Sequence, residues 1–532
     1  MLYPKNAEER LSDQLFQNPT SEYRGTPFWA WNGKLEKEEL IRQIGIFRQM
    51  GLGGFHMHVR TGMDTPYLSK EFMDYIRFCV DTAKEEDMLA WLYDEDRWPS
   101  GAAGGKVTDG RPEYARKCLL LTTQPYTPDR PHRSARPEPG RGQNCIRQDN
   151  GVLLAVYDVC LNEDGTLRLA RRIEETEEAA GVKWYAYLEH ATADPWFNNQ
   201  AYVDTLKKEA IAAFLNITHD AYYEAVGEDF GGRVPAIFTD EPQFCPKTTL
   251  SFAAEKKDVF MPWTDELPED YQKQYGEDLL DKLPELLWEQ PEGRLSRVRW
   301  RYQNLVTELF VSSFCRQVGA WCRGHGLRLT GHVMGEPTLM SQTRAVGDAM
   351  RCYDSFDIPG IDMLCDHHEY TTAKQTQSIV RQKGAPGMLS ELYGVTGWDY
   401  DFRGYKLQGD WQACLGVTVR VPHLAWMTMK GEAKRDYPAS INYQSPWWDQ
   451  FAQVEDHFAR LNTALTRGKA RVRVAVVHPI ESYWLHWGPS DQTAAAREQM
   501  ERQFSGLAET LLFGGIDFDY LNEAELPALC AN

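Results

Sequence analysis

Two glutamates stand directly behind short apolar runs, Glu241 after AIFTD and Glu391 after GMLS. Two carboxyls facing each other across a gap can cleave a glycosidic bond. One protonates the leaving oxygen, and the other attacks the anomeric carbon or activates a water. Asp240 precedes Glu241 and is a candidate for raising its pKa by like charge. Asp94-Glu95-Asp96-Arg97-Trp98 packs three acids, a guanidinium and an indole into five residues. Such a group can satisfy sugar hydroxyls with charge-assisted bonds or hold a cation through oxygen ligands. Other apolar runs also end in polar or aromatic residues: His58 and Arg60, His332 and Glu336, Asp362, Tyr393 and Trp398, and Trp426. We take Glu241 and Glu391 as catalytic candidates. His58, Arg60, Asp94, Asp96, Trp98, Asp240, His332, Glu336, Tyr393, Trp398 and Trp426 are the substrate-binding candidates, with Trp98, Trp398 and Trp426 lining the sugar subsite.

His56 and His58 form an HxH that alternation puts on one strand face. The same pattern suits a rival, a metal-dependent barrel amidohydrolase. Here, however, the HxH lies on the second apolar run rather than the first, and the fourth run offers no lysine to carbamylate. We assign no metal ligands. Gly101-Ala102-Ala103-Gly104-Gly105 lacks the strand and helix that make a dinucleotide fingerprint. Lys430 and Glu432 read as rim charges, and Trp447-Trp448 as packing.

The apolar runs alternate with helical stretches. PFWAWNG is followed by KEELIRQIGIFRQMG, then GFHMHV, then KEFMDYIRFCVDTAKEEDM, then MLAWLY. A β-α-β-α-β order implies parallel strands with right-handed crossovers. Runs near 28, 55, 90, 236, 328, 358, 388 and 424 predict eight strands and a (β/α)8 TIM barrel over 1–468. Such a barrel carries its active site at the C-terminal ends of the strands, where the candidates lie. After the third strand, 116–192 reads as an antiparallel β insertion interrupted by a Pro/Arg-rich loop from Pro125 to Arg141. Residues 469–532 read as the start of a doubly wound, flavodoxin-like unit, with the strand RVAVVHP and one long helix. About 60 residues fall short of the roughly 100 such a domain needs, so the chain reads as ending inside it. Its strand is expected to leave backbone groups open, to dock on the barrel, or to pair with a second subunit; the last would make a homo-oligomer.

The net charge of −19 gives no electrostatic footprint for nucleic acid or an anionic membrane. No apolar run approaches the length of a membrane span. The opening MLYPKNAEERLSDQLF has no basic-then-apolar leader. The 11 cysteines are scattered with no CxxC pair, so free thiols in a reducing, cytoplasmic setting are expected.

PFWAWNGKL, GLGGFHMHVRTG, AWLYDEDRWPSGAAGG and FTDEP resemble bacterial barrel hydrolases related to the α-L-rhamnosidases of glycoside hydrolase family 106, over roughly the first 465 residues. The overall layout is also similar to family 42 β-galactosidases. The resemblance implies a glycosidase with Glu241 and Glu391 as its two acids and an oligosaccharide or glycoside as substrate. It also implies a calcium ion near the sugar; no other cofactor is expected. Two departures stand out. The residue before the first acid is usually Asn in the large barrel clan and here is Asp240, and the β-sandwich domains of the rhamnosidases have no counterpart in these 532 residues. An inactive or truncated carbohydrate-binding barrel is the remaining alternative.

Overall fold

The computed structural model describes residues 2–126, 146–432, 435 and 437–530. Most of the Pro/Arg-rich loop expected after Pro125 lies outside them. The strands in chain order are β1 (Phe28–Trp31), β2 (Gly54–Val59), β3 (Leu89–Tyr93), β4 (Lys117–Thr122), β5 (Val152–Leu161), β6 (Leu167–Ile173), β7 (Val182–His190) and β8 (Ala236–Asp240). They continue as β9 (Val259–Trp263), β10 (Arg328–His332), β11 (Ile358–Met363), β12 (Met388–Leu392), β13 (Val417–Pro422), β14 (Ala425–Trp426), β15 (Val474–His478) and β16 (Phe518–Asn522).

One parallel sheet runs β13-β12-β11-β10-β8-β3-β2-β1-β14. Because β13 and β14 are separated only by His423 and Leu424, they are two halves of one broken strand. β13 pairs with β12 and β14 pairs with β1, which closes an eight-stranded barrel. The strands read as unbroken apolar runs because parallel strands are covered on both faces. In β1, Phe28 and Ala30 turn into the barrel with Tyr93, Phe238, Leu389 and Val421, while Trp29 and Trp31 pack outward under the helices. The helix Lys70–Glu85 shows how the outer layer is specified. Ser69 caps it by accepting the Phe72 N–H, and Phe72, Ile76, Cys79, Val80 and Ala83 recur at helical spacing on its buried face.

The insertion is an antiparallel sheet in the order β6-β5-β7-β4-β9. Its fifth strand, β9, comes from beyond β8, outside the 116–192 span read from the sequence. VFMPW holds a proline and stands at the sheet edge, where no ladder donor is required. A disulfide joins Cys118 of β4 to Cys245 after β8, with Cα atoms 5.9 Å apart. This corrects the expectation that every cysteine is a free thiol. The number of thiols titrated in denaturant should rise by at least two on reduction, to 11; 11 both without and with reductant would remove the bond.

β15 and β16 pair in parallel, joined through the helices Ile480–Leu485 and Ser490–Phe513. Of the expected fates for this unit, the structure shows docking on the barrel. The Tyr520 N–H donates to Ser378 Oγ at 2.8 Å, Gln382 Nε2 donates to the Tyr520 carbonyl at 2.8 Å, and Arg381 pairs with Asp519 at 2.9 Å. Among the described residues no helix is long and apolar enough to cross a membrane.

Candidate active site

Parallel register places Asp240 beside His332, and Asp362 beside Glu391, on the adjacent strands β8, β10, β11 and β12. All four side chains therefore meet at the C-terminal mouth, and Glu241, the next residue after β8, joins them from a left-handed backbone with φ 47°. The ring of His332 is the hub. Its Nε2 lies 3.2 Å from Asp240 Oδ1 and 3.9 Å from Glu391 Oε2. Ligand atoms of Asp240, His332 and Glu391 lie within 4.8 Å of one another, as do those of Glu241, His332 and Asp362. The two glutamates singled out by sequence thus converge on one imidazole. Tyr93 supports the group from below by donating to Asp240 Oδ2 at 2.6 Å.

The electrostatics follow from crowding acids where water is scarce. Burial, then the charges of Asp240 and Asp362, holds the Glu241 carboxyl well above the usual range. Glu391 is raised in the same way, by burial and then by Asp362 and Asp240. Burial lifts Asp362 to about 6, with Asp240 adding to it and His332 opposing. For His332, burial works against the charged ring. The contact with Asp240 and the fields of Asp240, Asp362 and Glu391 outweigh it and hold its pKa well above the usual value. One imidazolium does not offset burial and mutual repulsion for Glu241, Glu391 and Asp362, whose carboxyls are all raised.

These groups open into a cavity of about 250 Å³ walled by Arg60, Trp98, Met334, Leu364, His423 and Tyr437. The Arg60 guanidinium lies 4.4 Å from the Trp98 ring centre, a cation–π stack, and its Nη2 is 3.4 Å from His423 Nε2. His423 Nε2 in turn stands 3.7 Å from Glu391 Oε1. Among the sequence candidates, Arg60, Trp98, Asp240, Glu241 and Glu391 form the cavity wall, and His332 lies directly beneath.

Other candidates are corrected. His58 does not face the cavity; it stacks on Tyr93 with ring centres 3.8 Å apart and backs Arg60, because its inward position on β2 lies below the mouth. Asp94 is fully buried and accepts from Ser100 Oγ at 2.6 Å, fixing the loop below the site. Glu336 is occupied by the Tyr353 hydroxyl and by the Asp362 N–H at 3.2 Å, so it positions β11 rather than touching a ligand. The Tyr393 hydroxyl donates to the Tyr405 carbonyl at 3.1 Å, in the helix layer outside the barrel. Trp426 is buried, and Trp398 packs edge-on against it at 5.7 Å as a rim residue away from the cavity. Asp96 faces a neighbouring cavity and pairs with Arg97 at 2.9 Å.

Glu95, read from the sequence as one of three acids that could meet sugar hydroxyls, instead organises the loop. Its carboxyl accepts the N–H groups of Asp96 at 2.8 Å, Gly101 at 3.1 Å, Ala102 at 2.8 Å and Ala103 at 2.8 Å, and also that of Gly104. The GAAGG string is the backbone half of this cradle. Gly101 has φ 123°, and a Cβ on Gly105 would stand 2.3 Å from the Phe197 carbonyl oxygen. His423 was missed. The eighth run VPHLAW reads as one strand, but its break at residues 423–424 puts the strand end, and a site residue, three positions before Trp426.

His56 stacks on Trp91, and burial lowers its pKa to about 3. Neither His56 nor His58 belongs to the metal-competent groups among the described residues. Both metal-competent groups among the described residues include His332, whose ring is held charged, so neither offers the all-oxygen ligand set that calcium takes. Asp362 Oδ1 and Glu391 Oε2 are buried with no hydrogen-bond partner among the described residues.

No family model matches the chain, and no curated protein matches its sequence. Its fold is similar to a rhamnosidase from Novosphingobium sp. PP1Y, with TM-score 0.58 and 15% identity over 88% of this chain and 62% of that one. It is also similar to a GH42 beta-galactosidase from G. stearothermophilus, with TM-score 0.54 and 11% identity over 94% of this chain and 67% of that one. The chain therefore spans less than two thirds of the rhamnosidase's length. What these structures share with it is the fold, a (β/α)8 barrel of the kind found in glycoside hydrolases.

Proposed function

We propose that the protein is a glycoside hydrolase that removes a terminal sugar, with Glu241 as general acid and Glu391 as nucleophile or general base. The supporting observation is the convergence of the half-buried Glu241, just after β8, and the buried Glu391 of β12 at a small cavity walled by Trp98 and Tyr437. A sugar ring in this cavity would stack its C–H face on an indole and present its anomeric carbon to the acids. Asp240 and Asp362 beside Glu241 favour its protonated form, so it can give its proton to the glycosidic oxygen as that bond breaks. The charged His332, 3.9 Å from Glu391 Oε2, opposes the burial and the like charges that raise the Glu391 carboxyl, and to act on the anomeric carbon Glu391 must be the acid of the cluster that gives up its proton. It then bonds to that carbon or takes a proton from the attacking water. The α-L-rhamnoside is the first sugar to test, given the sequence strings and the fold neighbour, and a β-galactoside is the second.

The test is hydrolysis of nitrophenyl glycosides of both sugars by the purified chain. The charge arrangement also fixes a sign. An acid catalyst works while protonated, so the alkaline limb of the kcat/KM profile follows Glu241. Asp362→Asn removes a charge that raises Glu241, so the alkaline limb should move to lower pH. A limb that stays in place would mean that Glu241 is not the titrating acid.

A further inference from the structure

A second cavity of about 460 Å³ lies beside the catalytic one, and Arg60 lines both. We propose that this second cavity binds the leaving group of the substrate, and that the leaving group is itself a neutral, hydroxyl-rich sugar. The inference rests on the glycosidase reading and extends it.

Three observations carry it. The first is position. The second cavity is built by the loops after β2 and β3 with Asn198 and Gln200 from the segment after β7, and β3 is the ring neighbour of β8, which Glu241 directly follows. A chain leaving the catalytic cavity past Arg60 and Trp98 therefore departs on the side of the proposed acid, where the leaving oxygen must be protonated. The second is chemistry. Arg60, Arg97 and Lys106 are matched in the wall by Asp64, Asp96 and Asp109, so the cavity has no charge excess with which to select an anion. The third is preorganisation. Asn198 donates to Asp96 Oδ2 at 3.0 Å and to the Gly104 carbonyl at 2.9 Å, while accepting from Arg97 at 2.6 Å. Polar groups that hold one another present fixed donors and acceptors, which suits hydroxyls and gives an apolar leaving group little to bind. The catalytic cavity, at about 250 Å³, is at the small end for a ligand site and suits a single ring.

The experiment compares a nitrophenyl glycoside with disaccharides that share its terminal sugar. The pairs are nitrophenyl α-L-rhamnoside with rutinose and nitrophenyl β-D-galactoside with lactose, assayed on the full chain and on Asp64→Trp and Lys106→Ala. Asp64 and Lys106 are exposed, so both variants are expected to fold. The indole of Asp64→Trp would take up part of the second cavity. The ratio of kcat/KM for disaccharide over nitrophenyl glycoside should fall at least about tenfold in Asp64→Trp, and in the same direction in Lys106→Ala. An unchanged ratio in a chain that cleaves both substrates overturns the second subsite and leaves the glycosidase reading intact. So does a chain that cleaves the nitrophenyl glycosides and no disaccharide. A chain that cleaves neither class overturns both.

Discussion

Glu391→Gln should abolish turnover of the cleaved glycoside, by about 10³-fold or more, with folding retained. The amide is nearly isosteric but neither attacks carbon nor takes a proton from water. Folding should survive because Glu391 Oε2 has no hydrogen-bond partner among the described residues, and the carboxyl stands among like charges. Removing its charge relieves repulsion, so the melting temperature is expected to be equal or higher. Glu241→Gln should behave differently. Its loss should depend on the leaving group, reaching about 10³-fold on a sugar and remaining small on a dinitrophenyl glycoside, whose phenolate departs without a proton. Matching losses on both substrates would count against Glu241 as the acid. Circular dichroism and thermal melts on the same preparations separate lost chemistry from lost fold.

The second large effect is on stability and lies one layer behind the site. Glu95→Gln should destabilise the protein by at least about 3 kcal/mol. Five N–H groups converge on the two oxygens of Glu95. The glutamine amide keeps one oxygen and turns an NH₂ toward donors, leaving several buried N–H groups unpaired. Activity should fall as well, because the loop carries Trp98 into the cavity wall and Ser100 Oγ accepts the Asp240 N–H at 2.8 Å. Urea unfolding read against Glu241→Gln as control measures the effect. A Glu95→Gln protein as stable as wild type would show that the cradle is not what fixes the loop.

The barrel was legible because its strands are buried on both faces and read as apolar runs separated by amphipathic helices. The same logic placed Glu241 and Glu391, since a residue at or just past the end of such a run falls at the mouth. What sequence could not resolve was depth and direction. Asp94, His58 and Glu336 carry the right chemistry at the right strand ends, yet each is claimed by a neighbour that only three-dimensional packing supplies: Ser100, Tyr93 and Tyr353. Tyr393 sits two residues past Glu391 but turns outward to Tyr405. The DEDRW string read as three ligands for sugar. It is instead one buried brace at Asp94, one backbone anchor at Glu95 and one residue of the second cavity at Asp96. β9 escaped notice because it pairs with β4, some 140 residues earlier in the chain, and carries no alternation of its own.

The most direct measurement is release of nitrophenol from α-L-rhamnoside and β-D-galactoside by the full chain, run beside Glu241→Gln, Glu391→Gln and the double variant. The proposed mechanism predicts release from at least one sugar by wild type, a loss of about 10³-fold in Glu391→Gln, and no further loss on combining the two. Release that persists undiminished in the double variant, or no release from either sugar by a folded wild type, would contradict it.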